Sequence, residues 1–236
     1  QVRYFRQQNS GVCAASNRGV AESTGDYIAF LDADDIWDST KLAKQLAKFV
    51  EDAEIGLVHC AMREFDSETG ETIRMHLEGG EGFLADDLLL WEKPVIVGPG
   101  GTIMVSREAF DEAGGFDTRL KVCEDWDFCY RVASKYKVGF VREPLVNYRR
   151  HRAAAHHNVE TTERGMSLFY EKAFADPGVA PLRRRAYGNF HRVMAGSYFT
   201  SGSYVPFLRH TIMSIWNRPR NIAYFAAFPF RRLRKG

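Results

Sequence analysis

The sequence predicts an α/β domain followed by a helical extension, on three observations. Short apolar runs of strand length, "DYIAFL" at 26–31 and "IGLVHC" at 55–60, are interspersed with stretches of helical periodicity. Three carboxylates, Asp32, Asp34 and Asp35, crowd the carboxyl end of the first run, where ligands bind in open α/β sheets. Everything after about residue 157 carries a helical pattern.

The elements follow in order. Residues 12–24 place small and apolar residues at helical spacing, with Gly25 as the stop. After the strand at 26–31, Leu42, Leu46, Phe49 and Val50 fall at i, i+4, i+7 and i+8, which predicts a helix buried on that face and capped by Ser39 or Thr40. A strand at 55–60 leads into a ribbon over 61–76 that turns at "SETG", and a short amphipathic helix covers about 83–91. "GPGGTIMVS" predicts a glycine-rich turn entering a strand at Thr102–Val105, and "REAFDEAGGF" a short helix stopped by Gly114 and Gly115. "EDWDFCYRVASK" is helical, with Glu124 and Asp125 in the first turn, where negative charge suits the helix dipole. "KVGFV" and "PLVNYRR" predict two short strands.

With 236 residues, 45% of them hydrophobic and 26% charged, the chain has material for a real core. No apolar stretch reaches the ~18 residues needed to span a bilayer; the longest, 222–230, contains Pro229. No secretory signal is visible, so a cytoplasmic protein is expected. Cys13, Cys60, Cys123 and Cys129 have no CxxC spacing, which points to reduced cysteines rather than a disulfide framework or a zinc site. Charge divides sharply. Residues 1–176 hold all 30 acids with 21 Lys/Arg, whereas residues 177–236 hold 11 Lys/Arg and no acid.

Asp38, Ser39 or Thr40 already suffices to cap the following helix, so the three acids before them are surplus to capping. Their chemistry suits a divalent Mg²⁺ or Mn²⁺, which takes one or two protein carboxylates and completes its shell with water and phosphate oxygens. Two enzyme classes place Asp-x-Asp after an apolar strand. Haloacid-dehalogenase-type phosphatases want Thr or Val where Ile36 stands, and carry the motif on their first strand, whereas here a helix precedes it. Nucleotide-sugar glycosyltransferases are the other class, and the local sequence leaves both open.

Four motifs in order resemble family 2 glycosyltransferases of the GT-A fold: Asn9/Gly11 and Asn17/Gly19 before Gly25/Tyr27/Ile28 and Asp32/Asp34/Asp35; "GGTIMVSREAFDEAGGFD"; "EDWDFCYRV"; and "YRRH". The match covers about residues 5–155. It implies a Rossmann-like mixed sheet flanked by helices over 1–156, with 157–236 as a basic helical extension. It also implies that the family's opening strand-helix-strand unit, which binds base and ribose, is absent, so that a non-catalytic remnant stands as a further alternative.

By this resemblance Asp34 and His151 are metal ligands. Asp32, Asp35 and Asn17 face the nucleotide-sugar, Asp35 alternatively bracing the loop. Asp125 is the general base, and Glu124, Trp126, Gly100 and Gly101 line the donor-sugar and acceptor side. Each has a plainer alternative: His151 a surface histidine, Glu124 and Asp125 ordinary helix-start acids, Trp126 a core residue, Gly100 and Gly101 a turn. The implied reaction moves a sugar with inversion from a nucleotide-diphosphate sugar, a UDP-sugar foremost, to a glycan or lipid-linked acceptor in cell-surface polysaccharide or glycolipid synthesis. The basic, aromatic stretch 177–236 suits peripheral contact with the inner face of an anionic membrane, or else a helical cap with a solvated face. No nucleic-acid-binding motif accompanies it.

Overall fold

The structure is a computed structural model that describes residues 2–150 and 158–227. It divides into two compact units: Gln1–Leu88 with Pro94–Ala155, and Leu89–Lys93 with His156–Gly236.

The first unit is a mixed sheet with helices. Its elements are α1 (Val12–Ala21), β1 (Tyr27–Ala29), β2 (Ile36–Trp37), α2 (Lys41–Glu51), β3 (Ile55–Asp66), β4 (Thr72–His76), α3 (Ala85–Leu90), α4 (Pro99–Thr102), β5 (Met104–Ser106), α5 (Arg107–Ala113), α6 (Glu124–Ala133) and β6 (Lys137–Arg150). The strand order is β1-β5-β3-β6-β2, with β4 paired to β3. Only β3 and β6 run parallel; the other pairs are antiparallel. Val58, Cys60, Met62, Phe140, Val141, Leu145 and Val146 from the parallel pair form the core with Phe49, Val97 and Met104.

Several elements differ from the sequence expectation. The strand expected over 26–31 is three residues long, because its partner β5 is itself only three residues between α4 and α5. The expected glycine-rich turn closes into the single helical turn α4, entered through Gly98 in the left-handed region at φ 41°. The two strands expected over 137–150 are one, since β3 runs the full length beside it and absorbs Arg142 and Glu143 as an irregularity in register.

The largest difference is in α2. Phe49 is buried as expected, but Leu42, Leu46 and Val50 are exposed, and the fully buried positions are Lys41 and Gln45. Polar demand turns the helix this way. Gln45 Nε2 donates to Val58 O at 3.0 Å and Thr102 O at 2.8 Å, tying α2 to β3 and α4. The Lys41 ammonium lies 3.9 Å from the centre of the Trp37 ring, and burial pushes its pKa down to about 8. Thr40 is the N-cap as expected, but no side chain caps the helix; Thr40 instead donates its N–H at 2.8 Å and its hydroxyl at 2.6 Å to Asp38 Oδ1.

The second unit is helical: α7 (Val159–Ala173), a 3₁₀ turn (Pro177–Leu182), α8 (Arg183–Thr200), α9 (Tyr204–Asn217) and α10 (Asn221–Ala226). Its core is built on Met166, Phe169, Tyr170, Phe190, Met194 and Tyr198. The strip Leu89–Lys93 is stitched into it. Tyr170 OH donates to Leu89 O at 2.8 Å, and Asn189 Nδ2 donates to Leu90 O at 2.7 Å. Glu92 accepts from Arg185 Nε at 2.9 Å and Arg218 Nη1 at 2.5 Å; the Arg185 guanidinium first among its partners holds the carboxyl down at about 2. Among the described residues no helix is long and apolar enough to cross a membrane.

The inverted face of α2 has a measurable consequence. Gln45→Ala removes the amide donor shared by two buried carbonyls and lowers unfolding stability in urea by about 1–3 kcal/mol, whereas Leu46→Gln, one residue along on the exposed side, changes it by less than about 0.5 kcal/mol.

Candidate functional site

The chain leaves β1 at Ala29 and turns at once. Asp35 N donates to Asp32 O at 3.1 Å, closing a turn that sets Asp32, Asp34 and Asp35 within a few residues of one another. The crowding shows in their acidity. Desolvation, and then Asp34, push the Asp32 carboxyl up. Desolvation pushes Asp35 up to about 6, with Asp32 and Asp34 adding to the rise.

Two distant segments hold this turn. Arg149 of β6 donates its backbone N–H to Asp35 Oδ1 at 3.1 Å and its Nε to Asp34 O at 2.9 Å, while its guanidinium stacks 4.8 Å from the Phe65 ring centre. Asp35 thus braces the loop. From the other side α4 approaches so closely that a Cβ on Gly101 would stand 3.1 Å from Asp35 Oδ2, and one on Gly100 3.4 Å from Asp32 Oδ2. Trp37 Nε1 fixes α4 there by donating to Gly101 O at 3.1 Å. The two glycines are therefore the backbone wall of the acid cluster.

α6 supplies the second pair of acids. It begins after Cys123, a non-glycine residue held at φ 62°, ψ 15°. That strained entry puts Glu124 and Asp125 at the first turn. Asp125 is pushed up to about 6 by desolvation first and then by Glu124; Asp32 contributes as well, so the two acid clusters share one electrostatic field. Trp126 N–H donates to Asp125 Oδ1 at 2.7 Å, and the half-buried Trp126 ring donates Nε1 to Leu88 O at 3.3 Å.

The structure therefore brings together Asp32, Asp34, Asp35, Gly100 and Gly101, while Asp125 stands at the start of α6. Asn17 sits apart in α1, with both ends of its amide taken by Phe116, Nδ2 donating to Phe116 O and Oδ1 accepting from Phe116 N, each at 2.8 Å. It fixes the turn between α5 and α6. His151 lies outside the described residues. Sequence reasoning missed the bracing role of Arg149; the only signal was its place beside His151 in "YRRH".

Among the described residues, no group of three or more His, Cys, Asp or Glu is arranged to hold a metal by itself. The donor set nevertheless fits a hard divalent ion that takes one or two protein carboxylates and completes its shell with water and phosphate oxygens. Asp32 and Asp35, both raised, are anions short of counter-charge.

The model of the family described as glycosyl transferase family 2 matches residues 1–114. Over those residues, just under half of the chain, the sequence is similar to glycosyl transferase family 2. The similarity favours the glycosyltransferase class over the phosphatase class that also places paired acids after a strand. Among curated relatives, an uncharacterized glycosyltransferase of Rickettsia felis is 28% identical over 152 residues, 63% of this chain and 24% of its own length. The amylovoran biosynthesis glycosyltransferase AmsB of Erwinia amylovora is 28% identical over 151 residues, 57% of this chain and 45% of its own. The chain thus spans less than half the length of either relative. Among solved structures, a mannosyltransferase from Pyrobaculum calidifontis, in complex with GDP-Man and Mn²⁺, superposes with a TM-score of 0.56 at 18% identity over 96% of this chain and 63% of its own. That likeness shows the GT-A fold.

The raised acids set a pH signature in stability. Asp125 is ionised in both folded and unfolded chains at about pH 7.5, but only the folded chain bears the cost of that charge. Asp125→Asn therefore raises Tm by a few degrees there. Because the folded group titrates at about 6 against 3.8 unfolded, the gain shrinks as pH falls through 6 and is gone once both states are protonated. Thermal scans across this range measure it.

Proposed function

We propose that the protein is a metal-dependent, inverting glycosyltransferase that moves a sugar from a nucleotide-diphosphate sugar, a UDP-sugar foremost, to a glycan or lipid-linked hydroxyl in polysaccharide or glycolipid synthesis. The observation that carries this reading is the strand-end turn that gathers Asp32, Asp34 and Asp35 against the Gly100–Gly101 backbone, in a fold whose helix α6 starts with a second pair of acids. AmsB, by its name, serves amylovoran biosynthesis, and the Pyrobaculum enzyme, by its description, binds GDP-Man with Mn²⁺. Both support the substrate class.

Asp34, with His151, would hold Mn²⁺ or Mg²⁺. The ion supplies charge stabilisation for the departing diphosphate. Asp32 faces the donor's ribose or sugar, and Asp35 keeps the turn in place through Arg149. Gly100 and Gly101 let backbone, rather than side chain, meet the donor sugar. Asn17 serves the donor side through the turn it fixes.

Asp125 takes the acceptor's proton. Its carboxyl, raised to about 6, remains ionised at neutral pH and is a stronger base than an ordinary aspartate. Trp126 N–H orients one carboxylate oxygen, leaving the other as the proposed proton acceptor. Glu124 hydrogen-bonds acceptor or donor sugar, and Trp126 offers a ring face to a sugar. We place the reaction on the cytoplasmic side, with residues 177–236 in peripheral contact with the membrane.

Titration of UDP with and without Mn²⁺, together with turnover on a nucleotide-sugar panel, tests the assignment. Asp34→Asn loses the Mn²⁺-dependent part of nucleotide binding. Asp125→Asn keeps that binding and loses turnover by about 10²–10⁴-fold; unchanged turnover in this variant would sink the role given to Asp125.

A further inference from the structure

Helix α9 is built inside out. Its buried residues are polar: His210 Nδ1 meets His191 Nδ1 at 2.9 Å, and Ser214 Oγ donates to Gly188 O at 2.7 Å while accepting from Asn221 Nδ2 at 2.8 Å. Its outward residues are apolar. Val205, Leu208, Ile212 and Trp216 stand 81%, 56%, 66% and 75% exposed. Their spacing of i, i+3, i+7 and i+11 aligns them in one stripe. A helix whose only task was to cap a core would present the stripe inward.

The charge beside the stripe is positive. Arg209 adjoins it on the same helix, its side chain 62% exposed although paired with Glu163. Arg184 of α8 shares a groove of about 490 Å³ with Ile212, Ile215, Trp216 and Pro219, and its guanidinium donates to Trp216 O at 3.2 Å. Glu160, Glu163 and Glu171 of α7 gather instead with Val205, at the opposite end of α9. From residue 177 onward the sequence holds no acid at all.

We propose that the Val205–Trp216 face of α9, with Arg184 at its edge, docks on an anionic phospholipid surface. Such a surface offers both halves of the complement. Its acyl boundary takes the apolar stripe and the indole, and its phosphates take the guanidinium. A second copy would bring another arginine-edged face against this one, setting like charge on like. The proposal deepens the membrane part of the reading above and is independent of the transferase part.

Flotation of the whole protein with vesicles of phosphatidylcholine, alone or mixed with phosphatidylglycerol, tests it. Binding is expected to the anionic vesicles and to weaken with salt. The triple variant Leu208→Ser, Ile212→Ser, Trp216→Ser should lose it, and Arg184→Gln should weaken it by about fivefold, the equivalent of one basic residue at a membrane surface. All the replaced side chains are exposed, and retained Mn²⁺-dependent UDP binding, or an unchanged Tm should that binding be absent in the wild type, reports that the variants fold. Three outcomes overturn the proposal: no difference between the two vesicle types, anionic binding that survives the triple variant, or a concentration-dependent dimer in solution that the triple variant abolishes.

Discussion

Three carboxylates on one turn repel each other, and much of the first unit is arranged to hold them there. Asp32, Asp34 and Asp35 would separate if the chain leaving β1 were free to straighten. It is not free, because Arg149 fastens both the Asp34 carbonyl and the Asp35 carboxylate to β6. On the opposite side Gly100 and Gly101 leave no room for the acids to retreat. Burial first, and repulsion after it, therefore raise the pKa of Asp32 and Asp35. A turn stabilised in this way is stored demand for positive charge, which a divalent ion with a bound diphosphate can meet.

The sheet makes this possible by bringing distant segments to one place. The acid turn follows β1, α4 leads into β5, and Arg149 lies near the end of β6, so contacts span more than a hundred residues. The long parallel pairing of β3 with β6 fixes where Arg149 falls; a slip of one residue would send its side chain to the other face. α6 completes the arrangement through Cys123, whose left-handed backbone costs energy that an ordinary helix start would avoid. The family match ends at residue 114, before α6, yet Asp125 feels Asp32 across that boundary.

Much of this was legible in the sequence. The acids after an apolar run, the glycine pair before a strand and the acidic helix start are local patterns, and local patterns survive translation into structure. The two-residue strand β2 was not legible, since Ile36–Trp37 pairs with β6 only because tertiary packing puts it there. The single strand β6 was hidden by Pro144, which suggests a break; an irregularity in pairing with β3 accommodates it. The bracing by Arg149 was hidden because it acts partly through a backbone N–H, whose partner depends on register rather than residue type.

The direction of an amphipathic helix was the least legible feature: α2 departs from its expected face, and α9 is built the same way. Periodicity shows that a helix has two faces, and the usual inference buries the apolar one. In both helices the buried face instead carries a polar pair at i and i+4, Lys41 with Gln45, followed by Phe49, and His210 with Ser214. Most of these are side chains whose polar atoms can be satisfied indoors. Gln45 serves two carbonyls through Nε2 while its Oε1 has no hydrogen-bond partner, Ser214 serves Gly188, and His210 meets His191. Lys41 differs, lying over an indole with its ammonium unpartnered. An unsatisfied buried carbonyl costs about 1–3 kcal/mol, comparable to what burying one aliphatic side chain contributes. A helix beside exposed carbonyl groups can therefore gain as much by turning its polar pair inward as by burying a leucine. The apolar stripe then faces outward by default, and its fate depends on what lies beyond the surface rather than on the fold.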